Sequence, residues 1–398
     1  MARLTYKELQ VLMKKEGVNR IWSWSKINCF HTSPYTYYLQ YIKKVKEDRA
    51  NSIYVTTGGL AHTILEKFYT SKIIYEQMLE EFEDGWMVAV DIADLKFDRT
   101  NEEQNKKIKE KYYKDLVHFF SNHTVLKKKP ILEQFIKIKI GGNLFQGYID
   151  CAFKDDDDCI NIVDFKTSSI YKGAKAENES GQLVLYALGL KQQGVPMDKI
   201  KICWNFLKYV NIQCEQKNGK VKTRQIERCE IGESLQANAK TWLTTFGYEP
   251  DEYLKEMLDT NSIDCLPDEV KAKYVISDCY VYVDLTEELI NKWTEHIITI
   301  ITDIELREKD YAETHSDACF WDTDESVKEQ SYYFANLCGY SRNLHKPYDE
   351  YCKKFEAAQN GTDLFSGLGM GNDTVQTSSS NVINNKSDEI DLSWLENI

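Results

Sequence analysis

The chain has no run approaching eighteen apolar residues, so the sequence offers no ordinary membrane-spanning helix. Its first stretch, MARLTYKELQ, lacks the apolar core of a secretion leader. The expectation is therefore a soluble, cytoplasmic protein with no membrane partner. There is no excess of positive charge either: 50 basic against 63 acidic side chains leave a net charge of −13. That balance argues against a surface coated all over in nucleic acid, but leaves room for a local basic groove. No internal repeat stands out. A disulfide framework is not expected, because the eleven cysteines are odd in number and scattered. Several of them (Cys151, Cys159, Cys203) sit in strand-like runs, which reads as reduced, buried thiols. What is present is a globular composition, 42% apolar and 28% charged, over 398 residues. That is enough for one large domain or two ordinary ones.

Hydrophobic periodicity orders the chain. A short helical lead covers about 1–20. The aromatic-rich WSWSKINCFHTSPYTYYLQYIKK follows, with serines suited to helix N-caps. Helical spacing runs from about 60 to 83, and a lysine-rich helix from about 101 to 122. Three strand candidates come next, LEQFIKIKI, LFQGYIDCAF and CINIVDFKT. A helix at about 178–193 ends before Gly194 and Pro196. Strands are expected at 200–210, 221–231 and 274–285, with helical segments over 233–270 and 286–310. From about Gln359, Gly, Ser, Asn and Thr predominate, which predicts a disordered linker. The expected boundaries are a folded domain over 1–358 and a linker with an acidic tail over 359–398.

The stretch GYIDCAFKDDDDCINIVDFKT places acids inside strand-like runs. A hairpin turn centred on Asp157 sets Asp150 opposite Asp164, with Cβ atoms roughly 4.5–5.5 Å apart. Lys166, two residues beyond Asp164, shares that face. Opposed carboxylates destabilise a sheet unless a positive charge lies between them. A hard divalent cation fits, since it is held by one or two carboxylates plus water and substrate phosphate. It would make a water acidic enough to attack phosphorus, with Lys166 orienting or deprotonating that water, or offsetting transition-state charge. Geometry alone leaves a second reading open, a solvent-exposed hairpin with acidic decoration. The four aspartates at 155–158 read as a solvated turn.

These residues resemble the core of the PD-(D/E)XK nuclease superfamily, and more narrowly its RecB/AddB-like branch, which includes CRISPR-associated and phage exonucleases. Gly147 and Asp150 match a Gly-x-x-Asp strand, and Asp164 and Lys166 an Asp-x-Lys strand. His62 in GGLAHTILEKFY matches the metal-binding histidine of an upstream helix. Gln182 and Tyr186 in GQLVLYALGL match a downstream Gln-x-x-x-Tyr helix. The resemblance covers about residues 20–200 and, more loosely, 330–355. It implies a restriction-endonuclease-like α/β core with a central mixed β-sheet flanked by helices, and a helical insertion over about 67–130. It implies Mg²⁺ or Mn²⁺ held by His62, Asp150, Asp164 and the carbonyl of Phe165, with Lys166 catalytic. Gln182 and Tyr186 would orient Lys166 or bind the DNA backbone. Glu66, one turn after His62, is a candidate outer-shell acid.

Many relatives in this branch hold a 4Fe–4S cluster. Here Ser33 and Ala335 stand where two ligands are expected, so the resemblance implies a cluster-free member. A rearranged set of Cys29, Cys319, Cys338 and Cys352 is the alternative. The substrate implied is DNA, single- or double-stranded. Basic stretches at 106–114, 126–130 and 208–228 are candidates to contact phosphates, with Tyr112, Tyr113 and Tyr209 to stack on bases. The tail DEIDLSWLENI reads as a peptide that docks in a protein partner's groove, or as a plain disordered end. The expected function is a metal-dependent DNA nuclease, an exonuclease before an endonuclease, acting in recombination, repair or replication. A phage source would place it in the host-cell cytoplasm. The alternatives are a structure-specific endonuclease and a non-catalytic nucleic-acid-binding scaffold.

Overall fold

The computed structural model describes residues 3–50, 52–341 and 344. Cys352 and the segment 359–398, with the expected linker and tail, lie outside the described residues. A seven-stranded mixed sheet organises the chain. Its strands are β1 (Ile21–Trp22), β2 (Ile131–Ile140), β3 (Asn143–Lys154), β4 (Ile160–Lys166), β5 (Ile200–Glu215), β6 (Val221–Glu227) and β7 (Tyr274–Val283). Before β2 lie α1 (Tyr6–Lys15), α2 (Trp24–Thr32), α3 (Pro34–Tyr37), α4 (Ile53–Tyr69), α5 (Gln77–Trp86) and α6 (Glu102–Asn122). Between β4 and β5 lie α7 (Ala174–Glu179) and α8 (Gly181–Gln192). Then come α9 (Ile231–Phe246), α10 (Pro250–Thr260) and α11 (Asp268–Lys271), and after β7, α12 (Glu287–Thr314) and α13 (Asp324–Glu329). This is the expected central mixed sheet flanked by helices. No helix among the described residues is long and apolar enough to cross a membrane.

The middle of the sheet is antiparallel β2–β3–β4 followed by parallel β4–β5. β4 is buried from Ile160 through Phe165, as a strand covered on both faces should be. The β3–β4 register is the expected one, pairing Cys151 with Val163 and Ala152 with Ile162. That ladder ends at Cys151–Val163. β2 takes one edge of β3 along nearly its whole length, so β1, paired at Leu144 and Phe145, shares the other edge with β4. Between those two partners the β3 edge is open, and Asp150 sits there.

One apolar cluster lies on the α8–α12 side, with Ile162, Leu183, Tyr186, Trp204 and Ile301. A second lies on the α4–α5–α6 side, with Ile64, Phe82, Leu116, Val163 and Phe165, and a third joins α9–α11 to β5 and β7. The segment 67–130 is thus one of the two layers that sandwich the sheet. A buried network pins it there. Asp278 on β7 pairs with Arg228 after β6 and lies 3.1 Å from His123 after α6, whose other ring nitrogen is 2.7 Å from the Tyr69 hydroxyl. Burial pushes the Asp278 carboxyl up, but His123 and Arg228 outweigh it and hold it below its usual range.

Several boundaries differ from expectation for local reasons. The helical run 60–83 is two helices, because Ser71 takes a left-handed φ of 60° and the chain turns before α5. The helix expected at 178–193 breaks at Ser180. That buried hydroxyl donates to the Glu177 carbonyl at 2.7 Å and accepts the Trp293 indole N–H at 3.0 Å. β5 continues past Val210 to Glu215, and α12 past 310 to Thr314.

Candidate active site

Each functional side chain arrives on a different element. Asp150 comes from the open edge of β3, Asp164 and Lys166 from the end of β4, and His62 from α4, on the opposite face of the sheet from α8. The His62 ring packs edge-on against Phe165 with centroids 5.9 Å apart. Its Nε2 lies 2.9 Å from the Phe165 carbonyl oxygen and its Nδ1 3.6 Å from Asp150 Oδ2. Lys166 Nζ lies 2.6 Å from Asp164 Oδ2. The sequence-derived group of His62, Asp150, Asp164, Phe165 and Lys166 therefore converges.

The electrostatics fit a site built for a cation. Burial, then the charge of Asp164 and a hydrogen bond with it, push the Asp150 carboxyl well above the usual carboxylate range. Asp150 Oδ2 is buried with no hydrogen-bond partner. A buried carboxylate oxygen left this way is costly unless a cation or proton satisfies it. Burial would pull the Lys166 ammonium down, but Asp164 and then Asp150 outweigh it and raise it.

The residues fit a divalent ion in spacing as well. Two neighbouring ligands of an octahedral ion at about 2.1 Å lie roughly 3 Å apart, close to the His62–Phe165 separation. Carboxylate and carbonyl donors suit Mg²⁺ or Mn²⁺.

One acid escaped the sequence reading. Glu133 on β2 lies between Leu132, paired with Cys151, and Gln134, paired with Ile149, so it stands opposite Asp150. His62, Glu133 and Asp150 each offer a ligand atom within 4.8 Å of the others. Glu133 has a left-handed φ of 49°, rare for a residue other than glycine. Its Oε2 meets Arg3 at 3.3 Å, and the Leu4 N–H donates to the Tyr148 hydroxyl at 2.7 Å, so the first described residues border the site. The only advance signal was an acid three residues into a strand next to Gly-x-x-Asp.

Gln182 and Tyr186 lie on α8 against this edge of β3. The Gln182 amide donates to the Tyr186 hydroxyl at 3.1 Å. A Cβ at Gly147 would meet Tyr186 Cε1 at 2.4 Å, so the glycine of Gly-x-x-Asp is what lets the tyrosine pack against the strand. Burial raises the Tyr186 phenol, and the charges of Asp150 and Asp164 add to it. Glu66 is not brought in: its carboxylate lies 3.9 Å from Lys72, toward solvent.

Some of the residues expected to contact nucleic acid are committed elsewhere. Tyr112 and Tyr209 are buried and cannot stack on a base; Tyr113 is half-buried and bonded to Glu83. Lys111 is tied to Glu227 and Glu230, Lys114 to Glu110, and Lys128 to the Asp155 carbonyl. Arg228 is buried in the Asp278 network. Asp155 does more than decorate its turn. It accepts the backbone N–H groups of Asp157 and Cys159, the Asn161 amide and the Lys201 ammonium, which outweigh burial and depress its carboxyl.

At the other end of the site layer, hydrogen bonds join the first helices to the C-terminal segment. Ser33 caps α3 and donates to both oxygens of Asp322 at 2.9 and 3.0 Å. Arg49 donates to the Phe334 carbonyl at 2.8 Å. Burial, then Cys338 and Asp322, push the Cys29 thiol up to about 12. A second acidic grouping, Asp115, Glu227 and Cys229, lies under α6. Burial and Asp115 raise the Cys229 thiol, and Lys111 pairs with Glu227.

Three comparisons with known proteins bear on the family. A solved structure described as "Crystal structure of SSO0001" is 15% identical and covers 55% of this chain and 77% of its own. Its TM-score is 0.16, and it carries no argument here. No curated protein matches. A model of the PD-(D/E)XK nuclease superfamily matches residues 21–321, which span the sheet, both helical layers and every residue of the converging group. On that match, and with a restriction-endonuclease-like fold around the site, the chain belongs to the PD-(D/E)XK nuclease superfamily.

Proposed function

We propose that the protein is a metal-dependent deoxyribonuclease of the RecB/AddB-like branch, an exonuclease that hydrolyses phosphodiester bonds with Mg²⁺ or Mn²⁺. The observation that carries this is the buried, unpartnered oxygen of Asp150 beside Asp164, His62 and the Phe165 carbonyl. His62, Asp150, Asp164 and the Phe165 carbonyl would hold the ion. A bound divalent ion supplies an acidic water and offsets charge on the phosphate. Lys166, fixed by Asp164, places a positive charge where negative charge grows on the phosphoryl oxygens. Tyr186 and Gln182 hold the β3 edge in place and present polar atoms to the strand backbone. Action in DNA recombination, repair or replication, and a phage source, follow the branch resemblance.

The test compares wild type with Lys166→Ala on end-labelled linear DNA in Mg²⁺, Mn²⁺ and EDTA. Cleavage should need metal and fall about a hundredfold or more in the variant. A variant that cuts as fast as wild type removes Lys166 from catalysis. Circular single- and double-stranded DNA separates the second reading, a structure-specific endonuclease, which alone would nick them. A scaffold that retains the fold would cut none of these substrates.

A further inference from the structure

A cavity of about 530 Å³ opens directly beyond the catalytic strand. The chain leaves Lys166 through Thr167, Ser168 and Ser169, and all three line it. The wall also carries Lys208, Tyr112, Lys111 and Lys175, together with the carboxylates of Glu179 and Glu227. Its volume falls in the range of small-ligand sites, roughly 300–1,000 Å³.

Lys208 is the unusual member. It is only 9% exposed, yet its ammonium makes no ion pair or hydrogen bond among the described residues. Its nearest partner is the face of Tyr112, with Nζ 4.5 Å from the ring centroid. Burial disfavours its charge, and the Asp115 and Glu227 carboxylates nearby offset part of that cost without closing an ion pair. The neighbouring Lys111, by contrast, is committed to Glu227 and Glu230.

The backbone is distorted to put Lys208 there. β5 pairs Asn205 with Tyr280 and Val210 with Asp278, so Phe206–Tyr209 face Cys279 alone across the ladder. This bulge sends two successive side chains the same way. Leu207 packs in the α4–α5–α6 cluster, and Lys208 lies over Tyr112 of that cluster, where a regular strand would alternate. Arg228 Nε donates to the Leu207 carbonyl at 2.7 Å and holds the bulge open. Bulges of this kind re-aim a side chain near an active site. On the other edge of β5, Phe206 pairs with Lys166. Strand spacing and rise then set Lys208 about 8 Å from the Lys166 backbone, across and along the sheet.

From this we infer that the cavity is a phosphate subsite of the substrate strand, with Lys208 as its fixed cation next to the scissile position. The inference rests on the nuclease reading of the neighbouring site. The shared ligand chemistry is a nucleotide phosphate, either a terminal monoester or the next internal diester. The three hydroxyl residues supply donors, and Lys208 gains a close anionic partner when the strand enters.

The experiment measures binding of an internally labelled single-stranded 12-mer by fluorescence anisotropy, with Ca²⁺ in place of a catalytic ion. The strand is used with a 5′-phosphate, with a 3′-phosphate, and with neither. Lys208→Met should weaken binding about tenfold and lower the salt slope by about 0.7, one phosphate contact on a single strand. Lys208→Arg should retain most of the affinity. Ser168→Asp, at an exposed position of the cavity wall, should weaken binding without touching the buried network. A loss confined to one phosphorylated strand assigns a terminal phosphate; an equal loss on all three assigns an internal one. Wild-type affinity and salt slope for both Lys208→Met and Ser168→Asp overturn the subsite. If wild type still cleaves DNA with metal, the nuclease reading survives that result. A wild type that neither binds nor cuts any strand overturns both.

Discussion

At the scale of the residue, two costly features meet at the site. Asp150 leaves a buried oxygen unpartnered, and Glu133 adopts a backbone conformation that only glycine takes readily. Both lie at the open edge of β3, where the proposed cation would sit. Glu133→Gln keeps the size and the hydrogen bond to Arg3 through its oxygen, but removes a charge. Its Mn²⁺ affinity, read by calorimetry, should fall about tenfold or more, with the melting temperature of the metal-free protein nearly unchanged. Unaltered Mn²⁺ affinity would exclude Glu133 from the metal centre. Asp150, Asp164 and Lys166 were legible in the sequence because a hairpin with a short turn fixes its own register. Glu133 was not. Its place depends on the β2–β3 register and on a left-handed residue inside a strand, and neither leaves a mark in composition. Glu66 failed for the opposite reason: spacing put it on the His62 face, but Lys72 draws it to the surface.

At the scale of the element, α6 shows how a polar-looking helix becomes half of a core. Its lysines suggested a nucleic-acid face, yet Tyr112, Asp115, Leu116, Phe119 and Phe120 are buried. Charge counts along a helix do not say which lysines have acidic partners nearby, and here most do. Asp115 is fully buried and accepts the Cys229 N–H at 2.8 Å, while its other oxygen is unpartnered. Burial raises its carboxyl to about 6. The unfolded value is about 3.9. Between those values the folded state binds more protons than the unfolded state, so this group's contribution to stability falls as pH rises. It is fully present below about pH 4 and lost by about pH 7, a change of about 2–3 kcal/mol. Asp115→Asn keeps the acceptor and cannot ionise. In urea melts at pH 4 to 7, its stability relative to wild type should therefore rise with pH by that amount. A difference that stays flat across the range would show that Asp115 does not titrate in the fold.

At the scale of the whole molecule, elements distant in sequence assemble the centre. β2, β3 and β4 follow one another along the chain and pair locally. The contact of His62 with Phe165 spans 103 residues, and that of Ser33 with Asp322 spans 289. The central sheet and its flanking helices were legible because each element carries its own periodicity. The layering of 67–130 onto the sheet was not, since it depends on a buried Asp278–Arg228–His123 network drawn from three separate segments. The open edge of β3 also sets an order of events during refolding. Contacts between distant residues form against a larger loss of chain entropy than those within a hairpin. On dilution from urea, the far-UV strand signal should recover first, and the capacity to bind Mn²⁺ in a later phase, when α4 docks and delivers His62. Identical time courses for the two signals would refute that order. A nascent chain would follow the same logic: it carries its neighbouring carboxylates before it carries the histidine contact, and the converging group is complete only when α4 packs against the sheet.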